Sequence, residues 1–232
     1  MSEKVKVLDK GYVRLVNWMG TDLDPVNDAK VSFDRESTDF GEKEARLLAF
    51  LNREEHSSVF RHSVVKFEVY APLIIARQWW KYAVASSHIE DQLGWNESSR
   101  RYITEVPEFY IPTADEWRST PENKKQGSGE VLDIGTGRAL TDELLAYVDD
   151  GLDKYNWAME RNVAPEQARL FLPAYGMYVR WRWTASLGAA IHFLHQRLAD
   201  DAQYEIREFA VATKEQIRKA FPEVIKLCVE EV

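Results

Sequence analysis

Two guanidinium-rich stretches stand out for their chemistry: Ala76-Arg77-Gln78-Trp79-Trp80, and Asn96-Glu97-Ser98-Ser99-Arg100-Arg101-Tyr102, followed by Glu108-Phe109-Tyr110-Ile111-Pro112. Adjacent guanidiniums form paired hydrogen bonds to phosphate, and the hydroxyls of Ser98 and Ser99 can complete such a cradle. The amides of Gln78 and Asn96 suit the polar edge of a base. Trp79, Trp80, Trp95 and Tyr102 supply rings for the walls of a pocket. Together these groups suit a nucleotide. The alternative, a solvated helix face, leaves four large rings among the charges unexplained.

Further candidates lie later in the chain. Arg169 and Arg197 each fall in an apolar helical stripe, where an unpaired guanidinium is costly, so each needs an anion or an acidic partner. Asp200 and Asp201 are the internal partners available to Arg197. His192 and His195 stand three apart on one helix, and His56 precedes Ser57-Ser58 at a helix-to-strand junction. His88 with Glu90 and Asp91 matches no zinc spacing, so no metal site is expected. The string Glu130-Val131-Leu132-Asp133-Ile134-Gly135-Thr136-Gly137 resembles the glycine-rich first motif of Rossmann-like methyltransferases that use S-adenosylmethionine. Its context is poor: a polar loop precedes it, and long helices follow where further βα units belong.

These groups need a scaffold. Residues 4–17 alternate around a turn at Asp9-Lys10-Gly11 and predict short strands. Asp24-Pro25 marks the cap and first position of a helix through Val31, and residues 42–53 repeat apolar positions at helical spacing. Ser63 to Ala71 alternates as a half-buried strand that Pro72 ends. The run from Leu73 is apolar nearly all round and predicts a central helix. Residues near 113–138 form a polar excursion, with Thr120 to Gly129 expected to be exposed and mobile. Leu144, Val148, Leu152, Tyr155 and Met159 make one helical stripe, Pro165 opens a helix carrying Ala168 and Leu172, and the chain from about Trp183 to Glu231 reads as helical. Strands early and helices late predict an α+β fold: a helix-rich single domain over 1–232 with a small antiparallel or mixed sheet.

Composition narrows the function. The 232 residues, 45% of them hydrophobic, suffice for one sizeable core. A net charge of -8 argues against nucleic acid or an acidic membrane as partner, so any anion must be held locally. The single cysteine, Cys228, excludes an intrachain disulfide and a multi-cysteine zinc site. With no apolar signal core at the start and no run of about 20 apolar residues, a soluble cytoplasmic protein is expected.

Over nearly its whole length the chain resembles the flavin-dependent thymidylate synthases. The match runs in order through LDKGYVRLVNWMGTDLDPVNDAKVSFD, HSSVFRHSVVKFEVYAPLIIARQWW, NESSRRY with EFYIP, EQARLFLP and QRLADDAQYEI. The resemblance implies a homotetramer with sites shared between subunits. It also implies methylation of dUMP at C5, with methylenetetrahydrofolate as carbon donor and NADPH, through FAD, as reductant. By matched position, Gln78, Glu97, Ser98, Ser99, Arg100, Arg101, Arg169 and Arg197 fall where the family holds dUMP, Arg197 at the arginine that favours ionisation of uracil N3. Arg197 and Ser99 are thus the catalytic candidates. Ser99 matches a serine once proposed as nucleophile, but no local His or Lys activates it, and a binding role suits it better.

His56, Ser58, Arg61, Lys81, Tyr82, Glu97 and His192 fall on the flavin side. Several depart from the family pattern. The usual Arg-His-Arg triplet is Lys81-Tyr82-Ala83 here, Arg61 replaces an acidic residue, and His192 stands for an Asn. Gly188 stands for a basic residue and Asp201 for a histidine, and the stretch Ser87–Gly94 appears inserted. A divergent member with modified flavin contacts is therefore expected. The alternatives are a one-carbon transferase acting on another pyrimidine nucleotide, a nucleotide-binding relative without turnover, and an S-adenosylmethionine enzyme.

Overall fold

The structure is a computed structural model that describes residues 3–84, 92–98, 106–121 and 127–231. Its centre is a five-stranded antiparallel sheet in the order β1-β2-β3-β5-β4. The hairpin of β1 (Val5–Val7) and β2 (Gly11–Met19) closes where the sequence places it, with Leu8 in the left-handed region at φ 56°. A Cβ on Gly11 would lie 2.7 Å from the Val7 carbonyl oxygen and 2.9 Å from that of Tyr70, so only glycine lets the strands approach there. β3 (Val64–Pro72) pairs with β2 on one side and with β5 (Tyr178–Ser186) on the other, from Val64↔Ser186 to Pro72↔Tyr178. β4 (Gln92–Glu97) pairs with the outer edge of β5.

β5 is a strand that the sequence reading did not predict; the helical assignment from about Trp183 is corrected to begin at Leu187. Its residues alternate strictly, with Val179, Trp181, Trp183 and Ala185 buried and Arg180, Arg182 and Thr184 only partly covered. Tryptophans and arginines in alternation gave no obvious boundary, yet the period is two. A smaller correction concerns α1 (Asp24–Lys30): Asp24 lies inside the helix and accepts from the Thr21 N–H at 2.9 Å, and Leu23 holds the cap position.

One face of the sheet, with Val13, Leu15, Val65, Phe67, Val69, Trp181 and Trp183, is buried in the main core beneath the helices. Those helices are α2 (Glu42–Arg53), α3 (Leu73–Val84), α6 (Leu187–Arg197), α7 (Tyr204–Arg218) and the short α8 (Pro222–Ile225). α3 follows β3 directly and α6 follows β5 directly. Ser186 caps α6, its Oγ accepting from the Ala189 N–H at 3.0 Å. On the other face Glu68 is buried, accepting from Tyr12 at 3.0 Å and Arg14 at 2.9 Å and pairing with Arg182 at 2.5 Å. Burial alone would raise this carboxyl, but Tyr12, Arg182 and Arg14 together hold it below the usual range.

α4 (Ile134–Glu160) starts earlier than the apolar stripe predicts, because Asp133 caps it by accepting from the N–H groups of Gly135 and Thr136. The glycine-rich string is thus a helix start. A Cβ on Gly137 would lie 1.8 Å from the Ala114 carbonyl oxygen, which accounts for that glycine without any cofactor. No strand precedes it beyond an isolated bridge of Arg118 with Val131, so the Rossmann context is absent among the described residues. α4 packs through Val148 onto Phe109 and Leu172, beside the short α5 (Pro165–Ala168). Within the polar excursion, residues 122–126 lie outside the described part. Its flanks are joined by hydrogen bonds from Ser119 N–H to Glu130 (2.8 Å) and Leu132 N–H to Trp117 (2.8 Å). Among the described residues no helix is long and apolar enough to cross a membrane.

Candidate functional site

The site is framed by α3 and α6, and an aromatic block locks the two together. Trp79, fully buried, stacks on Phe193 at 4.5 Å and meets Trp181 and Trp183 edge-on at 5.6 Å each. Trp79 is therefore core, not the pocket wall the sequence suggested. With that face buried, positions three and four apart on α3's other face look outward: Ile74, Arg77, Gln78 and Lys81. They line a polar cavity of about 710 Å³ with Tyr175 and, from the end of α6 and the turn into α7, His195, Gln196, Arg197, Asp201 and Gln203. Gln78 Nε2 donates to Gln203 Oε1 at 2.6 Å across this space.

Arg197 ends α6 beneath that cavity. Its guanidinium lies over the Tyr82 ring, 5.2 Å from the centroid, and among the described residues it makes no ion pair with Asp200 or Asp201. Among the described residues no carboxylate pairs with it. Arg77 lines both this cavity and a second space of about 310 Å³ between α3 and β4, walled by Trp80, Trp95, Leu73 and Ala76 with Glu97 at its edge. Trp95 is held by stacking on Trp181 at 5.0 Å. Partial burial pushes the Glu97 carboxyl above its ordinary value, although the residue still meets solvent.

A third cavity, about 650 Å³, lies between α2, the short 3-10 helix Ser57–Phe60 and α6. Leu51, Phe60 and Ile191 form an apolar floor, and Arg53, Arg61, His192 and His195 bring positive or protonatable groups to its walls. Gly188 permits the approach of α6 to Phe60, since a Cβ there would lie 3.3 Å from that side chain. His195 lines this cavity and the Arg197 cavity alike. Its Nε2 stands 2.6 Å from the Cys228 carbonyl oxygen, which can only accept, so Nε2 carries the proton.

Of the residues expected at the site, Gln78, Lys81 and Arg197 share the 710 Å³ cavity, while Arg61 and His192 share the 650 Å³ one. Glu97 stands at the aromatic slot. His56 and Ser58 stand beside the third cavity, where Ser57 contributes instead. Tyr82 is buried and lines none of the three. Arg169 is apart from Arg197: its Nε donates to the Pro165 carbonyl at 3.2 Å, on a segment that exposes Leu170 and Phe171.

Ser99, Arg100 and Arg101 lie outside the described residues, as do Tyr102 and His88. The ends of that stretch are nevertheless placed. Ser98 N–H donates to the Arg180 carbonyl at 2.8 Å, and the Glu108 carbonyl accepts from Tyr178 N–H at 2.8 Å. The two flanks thus meet neighbouring positions of β5. Arg77 and His195, singled out in the sequence without an assigned role, both line cavities here, and Tyr175 joins them without having been named.

A family model described as thymidylate synthase complementing protein matches residues 14–223. The flavin-dependent thymidylate synthase of Thermotoga neapolitana is 36% identical over 222 residues, spanning 94% of this chain and 91% of that protein. The enzyme of the same name from Thermus thermophilus is 37% identical, spanning 94% and 75%. The chain belongs to the flavin-dependent thymidylate synthase family. A Wolbachia pipientis member is 33% identical, spanning 98% of this chain and 78% of its own length. In fold the chain is similar to the UMP/dUMP methylase PolB from Streptomyces cacaoi, solved bound with 5-Br UMP. The TM-score is 0.78 at 24% identity, and the match covers 97% of this chain and 96% of that one. Of Lys81 and Tyr82 at the end of α3, Lys81 lines a cavity and Tyr82 does not.

Cys228 has no part in such a site. It is buried, and burial with the charge of Asp22 pushes its thiol up to about 12, so it stays protonated near neutral pH.

Proposed function

We propose that this chain methylates dUMP to dTMP, taking the carbon from methylenetetrahydrofolate and reducing equivalents from NADPH through FAD. The observation that carries the reading is the convergence of Arg197, Lys81 and Gln78 on one polar cavity, with His195 joining it to the Arg61 and His192 cavity. The first cavity would take the nucleotide. A cation without a carboxylate partner beside a pyrimidine ring favours negative charge on that ring, and among the described residues Arg197 has no such partner.

The second cavity fits a flavin cofactor in its chemistry: an apolar floor for a flat ring system, and Arg53, Arg61 and His192 around it for anionic groups. When bound, the flavin supplies the hydride, which removes any need for a protein nucleophile. Arg61 and His192 would hold it, with His56 and Ser58 beside them; Lys81 and Glu97, at the nucleotide cavity and the aromatic slot, would meet it only where it extends toward them. The folate carbon donor would lie against this same region.

Arg169 reaches neither cavity of its own chain, and its segment exposes Leu170 (83%) and Phe171 (44%). Such a surface fits burial against another copy, so Arg169 is assigned to a neighbour's nucleotide site in a homotetramer. Ser98, Ser99, Arg100 and Arg101 complete the phosphate cradle in this reading. The protein is placed in the cytoplasm, without nucleic acid or membrane partners, and the whole chain acts as one domain.

The test is direct. Purified protein should carry flavin absorbance, oxidise NADPH only with dUMP present, and form dTMP when methylenetetrahydrofolate is added. Colourless protein that binds dUMP without turnover would favour a nucleotide-binding relative. Flavin-bearing protein that methylates a different pyrimidine nucleotide would correct the substrate.

A further inference from the structure

Tyr82 sits where the family pattern points to the flavin, yet its surroundings give it another task. The residue is 9% exposed in the last turn of α3 and lines none of the cavities described above. Its ring packs edge-on against Phe193 at 5.1 Å and tilted against His192 at 5.8 Å. Phe193 is itself stacked on the fully buried Trp79, which contacts Trp181 and Trp183 of the sheet. The phenol is thus anchored to the aromatic block of the core. The face it presents carries the Arg197 guanidinium at 5.2 Å.

Two further facts fix the character of this contact. The Arg197 Nε is buried and among the described residues has no hydrogen-bond partner, so none of these steers the arginine from that side. Burial pushes the phenol's pKa up, against the charge of Arg197 and a side-chain hydrogen bond between the two, so the phenol stays neutral and engages the guanidinium through its hydroxyl as well as its ring. A carboxylate in this place would orient the guanidinium and also cancel its charge. An uncharged aromatic face orients it and leaves the charge intact.

We infer that Tyr82 is a positioning residue: it holds Arg197 as an un-neutralised cation aimed into the nucleotide cavity, and it does not bind the flavin. The inference rests on the proposed nucleotide reading of that cavity. Its consequence is that Tyr82 governs how readily a bound uracil ring ionises at N3, through Arg197. Arg77 and Lys81 from α3, His195 from α6 and Asp201 beyond it also border the cavity; they stay unchanged in the variants below.

Ultraviolet difference titration of dUMP bound to the holoprotein reads N3 ionisation, alongside kcat and flavin affinity. For Tyr82→Leu the N3 pKa should rise by about one unit and kcat fall roughly tenfold, the equivalent loss of a desolvated cation–π contact. Nucleotide and flavin dissociation constants should stay within about threefold, a fraction of that energy. Tyr82→Phe keeps the ring and loses only the hydroxyl contact with Arg197, and should hold both N3 ionisation and kcat between the parent and the leucine variant. If the leucine variant does not fold, Tyr82→Met, closer in buried volume, serves the same test. A Tyr82→Leu or Tyr82→Met protein with unchanged N3 ionisation overturns the inference when Arg197→Ala still shifts it. Loss of flavin with N3 ionisation intact overturns it too, in favour of cofactor binding. If Arg197→Ala itself leaves dUMP binding and N3 ionisation untouched, the nucleotide reading fails and the inference falls with it.

Discussion

The two cavities that meet at His195 are built differently. The Arg197 cavity has polar walls from α3, α6 and the turn into α7, and behind it stands the Trp79, Phe193, Trp181 and Trp183 block of the sheet core. The Arg61 and His192 cavity has an apolar floor and borrows its charges from the end of α2 and a 3-10 turn, where Arg53 is engaged with Glu54 at 2.9 Å. Charge fixed by core packing suits a step that must favour one electronic state of a small ring. Charge at the ends of short elements suits holding a larger, partly apolar ligand.

The largest effect is expected at the first cavity. Arg197→Ala should cut dUMP kcat/KM at least thirtyfold, about 2 kcal/mol or more for a lost charge-assisted contact, while flavin affinity changes little. Equal losses for both ligands would erase the distinction between the cavities. Next, Glu68→Gln leaves Arg14 and Arg182 facing a neutral amide and should cost about 2 kcal/mol in denaturant unfolding, less than a fully buried pair because Arg182 is partly exposed. The sign in pH follows. The folded carboxyl is held below its ordinary value, so its stabilisation is complete above the ordinary carboxylate range and fades as pH falls toward the folded value. The parent protein should lose this increment on acidification, and the Gln variant should not.

Arg61→Glu should weaken FAD binding roughly tenfold, about 1.4 kcal/mol, and leave dUMP binding unchanged. A shift in dUMP affinity instead would place Arg61 with the nucleotide. The smallest effect is expected for Cys228→Ala. Activity should persist, with a stability cost of about 1 kcal/mol for a small core cavity. A folded but inactive variant would revive a thiol mechanism.

Part of the α3 side was legible in the sequence. The run from Leu73 reads as a central helix, and Trp79 at the centre of the core agrees; that Arg77, Gln78 and Lys81 share its outward face is what the structure adds. The nature of its rings was not legible: Trp79 and Trp80 are adjacent, and only packing decides that one is buried and the other exposed. β5 was missed because arginines interleaved with tryptophans satisfy a two-residue period that looks, by composition, like a polar aromatic helix. The second cavity was harder, since Arg53, Arg61 and His192 come from three elements with no shared spacing. His195 illustrates the same limit, because its partner is a backbone carbonyl thirty-three residues away.

The central claim is that Arg197 holds a pyrimidine nucleotide directly beside a bound flavin. Titrating dUMP into FAD-loaded protein while recording the flavin visible spectrum tests it most simply. A saturable perturbation of the flavin bands that is lost in Arg197→Ala is the expected result. Tight dUMP binding with an unperturbed flavin spectrum, or an undiminished perturbation in the variant, would contradict it.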